Sequence, residues 1–160
     1  MKSARSYLPV LLACAFVGLM AGIRHGGVML VFIVPIFLLS MLVACFKAWK
    51  RPERRRPLAI SAGLWMLTIA LIVGLHWHYY TASRQAADAV VASVAQYMQT
   101  HGKPPTDAQT LGFTNGKNEW RIFYTLRADQ IPSVIYFSTF MPFDTWEYEF
   151  DNKRWIYRSD

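Results

Sequence analysis

Residues 58–100, LAISAGLWMLTIALIVGLHWHYYTASRQAADAVVASVAQYMQT, constrain this chain more than any other stretch. The first part, 58–80, contains no Asp, Glu, Lys or Arg. It exceeds the ~20 residues a helix needs to cross a hydrocarbon core about 30 Å thick. In the second part, Ala87, Val90, Val91, Val94, Tyr97 and Met98 recur at helical spacing, with Arg84, Gln85, Asp88, Ser93 and Gln96 mostly elsewhere. That is an amphipathic helix over 81–100 with one apolar stripe. No strong breaker separates the two parts, so the stretch predicts one helix, or two nearly continuous ones, leaving a bilayer and entering a small folded domain. Between them lies His76-Trp77-His78-Tyr79-Tyr80. Trp77, Tyr79 and Tyr80 suit the membrane–water interface as anchors. His76 and His78, two apart, diverge on a helix and are poorly spaced for a shared metal.

Two further apolar runs precede this stretch. Residues 7–23 hold no charge and lie at the lower limit of a span; residues 28–46 form another, with Pro35 inside. A cleaved signal peptide competes for the first run, but no A-x-A site follows it. Gly18 and Gly22 carry the four-residue spacing of close helix contacts, a spacing also common by chance in membrane helices. The expectation is therefore a transmembrane domain over 1–80 with spans at about 7–23, 28–46 and 58–80, and a second domain over 81–160.

The net charge of +7 raises the question of nucleic acid. The excess lies wholly in residues 1–80, at +8, while 81–160 sum to −1. A nucleic-acid footprint belongs on the folded domain, and none is there. Lys47, Lys50, Arg51, Arg54, Arg55 and Arg56 instead crowd a segment, 47–57, with Glu53 as its one acid. Read by the positive-inside rule, these six are topology determinants: 47–57 is a cytoplasmic loop, the N-terminus is cytoplasmic, and the C-terminal domain is outside. The cysteines, Cys14 and Cys45, both lie in apolar runs, so the second domain has neither a disulfide framework nor a thiol site.

The second domain changes period after its helix. His101-Gly102 and Pro104-Pro105 stop the helix, and Thr106–Gln109 has the form of a capping box for one short turn ended by Gly112. From Glu119 apolar residues alternate: Trp120, Ile122, Tyr124, Leu126; Val134, Tyr136, Ser138, Phe140; Trp146, Tyr148, Phe150; Trp155, Tyr157. Four strands follow, at about 119–127, 133–140, 145–150 and 154–158, joined by turns at Asp129-Gln130, Pro142 and Asp151–Lys153. Short links favour an antiparallel meander whose apolar face covers the helix stripe. The fold class is membrane α-helical with three transmembrane helices, plus a small α+β domain of one long helix on a four-stranded antiparallel meander.

An apolar-then-amphipathic helix followed by a meander resembles the type IV pilins and pseudopilins. The wording His101-Gly102-Lys103-Pro104-Pro105-Thr106, then Leu111-Gly112, is similar to the segment after the pilin helix. The chain departs from that pattern at Gly63–Thr68, where the glutamate of a prepilin-peptidase site is missing. The resemblance thus implies a pilin-like exported module on a polytopic anchor.

No G-x-S-x-G, H-E-x-x-H, P-loop or G-x-G-x-x-G occurs. Glu147, Glu149 and Asp151 share a strand face, where an exposed charged face outweighs a carboxylate or calcium site. Glu147 and Glu149 also face Arg154 and Arg158 of the next strand as cross-strand charge pairs. No catalytic residue, cofactor, metal or small-molecule substrate is expected. Twelve aromatics lie between Trp120 and Tyr157, more than one sheet face can bury. Phe123, Phe137, Phe140 and Phe143 fall off the buried pattern or near strand ends, as a candidate protein-contact surface or as closures of the core edge. The expected class is a bacterial inner-membrane protein with a periplasmic domain that binds a protein. Its partner would be a secreted toxin, making the chain an immunity protein, or a component of a type IV pilus or secretion assembly.

Overall fold

A computed structural model describes residues 2–141 and 143–159, with side chains from residue 7 onward. The turn expected at Pro142 lies outside the described residues. The elements in order are α1 (Lys2–Ala21), α2 (Val28–Lys50), a 3-10 turn (Pro52–Arg54), α3 (Arg55–His101), a second 3-10 turn (Gln109–Leu111), and β1 (Ile122–Leu126), β2 (Pro132–Phe137), β3 (Thr145–Glu149) and β4 (Arg154–Arg158). The chain falls into two compact units, Met1–His78 and Tyr79–Asp160, and α3 contributes to both.

The first unit is helical. Ala21 at the end of α1, Leu30 near the start of α2 and Ile72 of α3 form its buried centre, flanked by Val17 and Val34. Gly18 faces the Thr68 methyl of α3. A Cβ added at Gly22 would sit 2.4 Å from the Gly18 carbonyl oxygen and 3.5 Å from Leu75, so only glycine closes α1 here. The backbone carbonyl of Ala21, orphaned by the end of α1, accepts a hydrogen bond from the buried His76 Nε2 at 2.7 Å. His76 is thus a clasp between chain segments 55 residues apart.

Where the sequence reads as three spans, two helices are long and apolar enough to cross a membrane: α2, and the apolar part of α3. The apolar part of α1, Tyr7–Ala21, is shorter, because the chain turns away at Gly22. The basic segment 47–57 is also more regular than a loop. Lys47 and Lys50 occupy the last turn of α2, where cations complement the helix C-terminus. Arg51 is extended before Pro52, as a residue preceding proline prefers, and Arg55 already starts α3.

In the second unit, the predicted stripe packs on the predicted sheet face. Ala87 and Val94 of α3 meet Ile122, Tyr124, Val134 and Tyr136, with Ala108 closing the buried core. The sheet order is β1-β2-β3-β4, all antiparallel. Register aligns Ile122, Tyr136, Trp146 and Tyr157 across it, then Tyr124, Val134, Tyr148 and Trp155. These rows form the inner face. Its rings meet edge-on or tilted, Tyr136 on Trp155 at 5.1 Å and Tyr148 on Trp155 at 5.3 Å between centroids. Trp155 also donates its indole N–H to Asp88 at 2.8 Å, while the Arg84 guanidinium lies 4.5 Å above its ring. Tyr80 tilts onto Trp146 at 6.3 Å, which adds a packing role to the anchor expected there.

Gly102, with φ +68, ends α3 by donating its N–H to Met98. The short turn beyond uses Asp107 rather than Thr106 as its cap: the Asp107 carboxylate accepts both the N–H and the hydroxyl of Thr110 at 2.8 Å. Those bonds hold its pKa below the usual carboxylate value.

β1 starts at Ile122 rather than near 119, because residues 115–121 cover its edge instead. Asn115 exchanges two hydrogen bonds with the Tyr124 backbone, at 2.8 and 2.9 Å. The Asn118 carbonyl oxygen accepts the Ile122 N–H at 2.7 Å, and Gly116 donates to the Ile122 carbonyl at 3.0 Å. Arg121 turns through φ +50 to rejoin the strand. Side-chain amides here imitate a neighbouring strand and blunt an otherwise exposed edge. β2 ends at Phe137 rather than 140: Ser138 still donates its N–H to the Asp144 carbonyl, but its hydroxyl oxygen accepts the N–H groups of Phe140 and Met141 and turns the chain. Ser138 and Phe140 therefore belong to a turn.

Candidate recognition surface

The outer face of the sheet carries the residues of the other strand parity. One row is Phe123, Ile135, Glu147 and Ile156; its neighbours are Phe137, Thr145 and Arg158 on one side and Thr125, Ser133, Glu149 and Arg154 on the other. The face divides into an aromatic part and an ionic part.

Phe123 and Phe137 meet edge to face with centroids 5.9 Å apart, and both are half-buried. The Phe123 ring lies on the backbone of Gly116; a Cβ there would come within 2.7 Å of it, and φ at Gly116 is +68. The pair therefore rests on the segment that covers the β1 edge. Phe140 and Phe143 lie apart, on the β2–β3 connection, 37% and 74% exposed. The four phenylalanines form a sheet-face pair and a loop pair.

Glu147 centres the ionic part. Its carboxylate accepts hydrogen bonds from Arg127, from the Ser133 hydroxyl at 2.9 Å and from Arg158 at 3.2 Å. Arg158 reaches Glu149 as well, at 3.3 Å. Of the cross-strand pairs expected from the sequence, Arg158 makes both of its contacts. Arg154 stands opposite Glu149 in register, but among the described residues no ion pair joins them. Arg127 falls inside the strand expected over 119–127, but it lies two strands from Glu147 and nothing in the sequence pairs the two. Burial pushes the Glu147 carboxyl up, and the Ser133, Arg127 and Arg158 bonds more than reverse this, leaving its pKa below the ordinary value of 4.5. A depressed carboxylate contributes stability above the unfolded pKa and loses it as pH falls through the folded one. Acidification below about pH 4.5 should therefore destabilise the sheet unit, and Glu147→Gln should show a flatter acid limb. Urea midpoints of both proteins across pH 3 to 7 would check this; parallel acid limbs would refute it.

The acids at 144–151 do not converge. Asp144 accepts the Tyr157 hydroxyl, which raises the pKa of that phenol; Glu147 and Glu149 are taken by arginines; Asp151 lies in the β3–β4 turn. Among the described residues no three His, Cys, Asp or Glu side chains gather to hold a metal.

Comparison with known proteins returns no match: no family model, no curated protein and no solved structure resembles this chain closely enough to assign it.

Proposed function

We propose that this chain is a non-catalytic bacterial inner-membrane protein. Three spans, α1 included, fix its sheet unit in the periplasm, where that unit binds another protein. The observation that carries the reading is the outer sheet face with its adjoining loop. The inner face is spent on α3, yet Phe123, Phe137, Phe140 and Phe143 stand outside that core, beside a fixed ionic cluster. Aromatic anchors beside ordered arginines are the composition of interface hot spots. The leading setting is immunity to a secreted toxin that acts in the periplasm or on the membrane. The long helix on a meander, with its pilin-like wording, favours a pilus or secretion accessory as the second reading.

Phe143→Ala tests the surface. Its side chain is 74% exposed, so folding stability should stay within about 0.5 kcal/mol of wild type. As a hot spot it should cost about 2 kcal/mol of affinity, roughly 30-fold. The readout is survival of cells challenged by a toxin whose gene, if immunity is right, lies beside this one, at matched protein levels. Unchanged protection would remove Phe143 from the interface. Deletion that leaves survival intact but abolishes piliation would replace immunity with assembly. Topology has its own check: a reporter active only in the periplasm should be active when fused after Asp160 and silent at Arg54. The reverse pattern would overturn the orientation.

A further inference from the structure

The end of the helical unit at which α2 gives way to α3 has an apolar groove of about 440 Å³ between the two helices. Met41, Cys45 and Trp49 of α2 form one wall; Leu58, Ala59 and Ala62 of α3 form the other. Arg55 also lines it, and its Nε reaches 3.5 Å from the carbonyl of Ala48, one of the orphan carbonyls at the end of α2. That contact sets the guanidinium beside the groove and leaves its two terminal nitrogens for another acceptor. Trp49 leads into a second concavity with Phe46 and Lys50, and those two residues lead into a third with Lys47, Arg51 and Arg54. Among the described residues, none of Lys47, Lys50, Arg51, Arg54 and Arg55 is paired with a carboxylate. Arg55 thus lines a slot whose walls are otherwise apolar, and Lys50, Lys47, Arg51 and Arg54 line the concavities that follow around the end of α2.

We infer that this groove is a binding site for one anionic diacyl phospholipid. An acyl chain lies between α2 and α3, and the phosphate is held by Arg55 with the adjacent basic side chains. The amphiphilic lining selects such a ligand. A nucleic acid or a free phosphate would match the cations and leave the slot unfilled; a zwitterionic lipid would fill the slot and leave the cations uncompensated. The inference rests on α2 and α3 lying in a bilayer and is independent of what the sheet unit binds.

The test uses the full chain purified in a neutral detergent. Phosphatidylglycerol, phosphatidylcholine of the same acyl chains, and glycerol phosphate are added separately, with retained lipid read by native mass spectrometry and stability by thermal unfolding. Phosphatidylglycerol should be retained at one per chain and raise Tm saturably; the other two should do neither. Arg54→Gln and Arg55→Gln should each weaken retention about fivefold. Ala59→Trp should abolish it with every cation still present, since its side chain fills the slot from an exposed position. Helix content by circular dichroism confirms that each variant is folded. Equal retention of phosphatidylcholine, a Tm rise with glycerol phosphate alone, or undiminished phosphatidylglycerol binding by folded Ala59→Trp would each overturn the proposal.

Discussion

Tyr136→Ala should unfold the sheet unit under conditions in which the native chain is stable. The Tyr136 ring is fully buried, aligned between Ile122 and Trp146 and set edge-on to Trp155. Removing a buried aromatic ring costs about 3–5 kcal/mol, because the cavity cannot collapse among other rings. A small domain holds only ~5–15 kcal/mol in total. Limited proteolysis and urea unfolding would measure the loss; a cost below about 1 kcal/mol would show that the core is not organised around this ring. Two milder substitutions separate ring from hydroxyl. The buried Tyr136 hydroxyl has no partner at full hydrogen-bonding geometry, and burial pushes its pKa to about 12, with the nearby Arg84 guanidinium pulling the other way through a weak hydrogen bond and its charge. The Tyr124 hydroxyl, also raised to about 12 by burial, donates to the Pro105 carbonyl at 2.6 Å. Tyr136→Phe should therefore be nearly neutral, whereas Tyr124→Phe should cost about 1–2 kcal/mol by stranding a buried carbonyl. The opposite order would show that Tyr136 has a partner in solution.

In the helical unit, His76→Ala should have the largest effect of any single polar deletion. It removes the donor to the Ala21 carbonyl and opens a space beside Gly22, Leu75 and the buried Ile72. The expected loss is about 1–3 kcal/mol, the penalty for a buried acceptor left unpaired, and toward the lower end if lipid is the surrounding medium. His76→Gln keeps an N–H donor and should recover part of it. Thermal unfolding in detergent, followed by helix signal, would measure both. Equal losses for the two variants would place the effect in packing rather than in the hydrogen bond.

The parts of this fold legible in the sequence are those with a period. The stripe from Ala87 to Met98 and the alternation of Ile122-Tyr124, Val134-Tyr136 and Trp146-Tyr148 each place side chains by backbone geometry alone, and these residues build the core. Contacts between distant segments have no such signature. Nothing around His76 points to Ala21, and nothing around Asn115 announces that it will stand in for a strand beside Tyr124. The strand limits moved for the same reason: side-chain hydrogen bonds from Asn118 and Ser138 outcompete ladder pairing at the ends of β1 and β2, although the residues there suit a strand. Among the candidate contact residues, alternation puts Phe123 and Phe137 on the outer face; their edge-to-face contact follows from the β1–β2 register, which sets Phe137 two residues beyond Ile135, the partner of Phe123, while Phe143 is exposed on the β2–β3 connection.

The capped border of β1 gives the sheet a polarity of growth. β4 is the other border, and among the described residues no fifth strand lies beside it. A strand approaching the β1 side finds it already occupied by the side-chain amides of Asn115 and Asn118. Strand addition through backbone pairing is therefore blocked at one border, which keeps the sheet from extending on both sides into a fibre. Substituting both asparagines with alanine would remove that cover and return the β1 border to solvent.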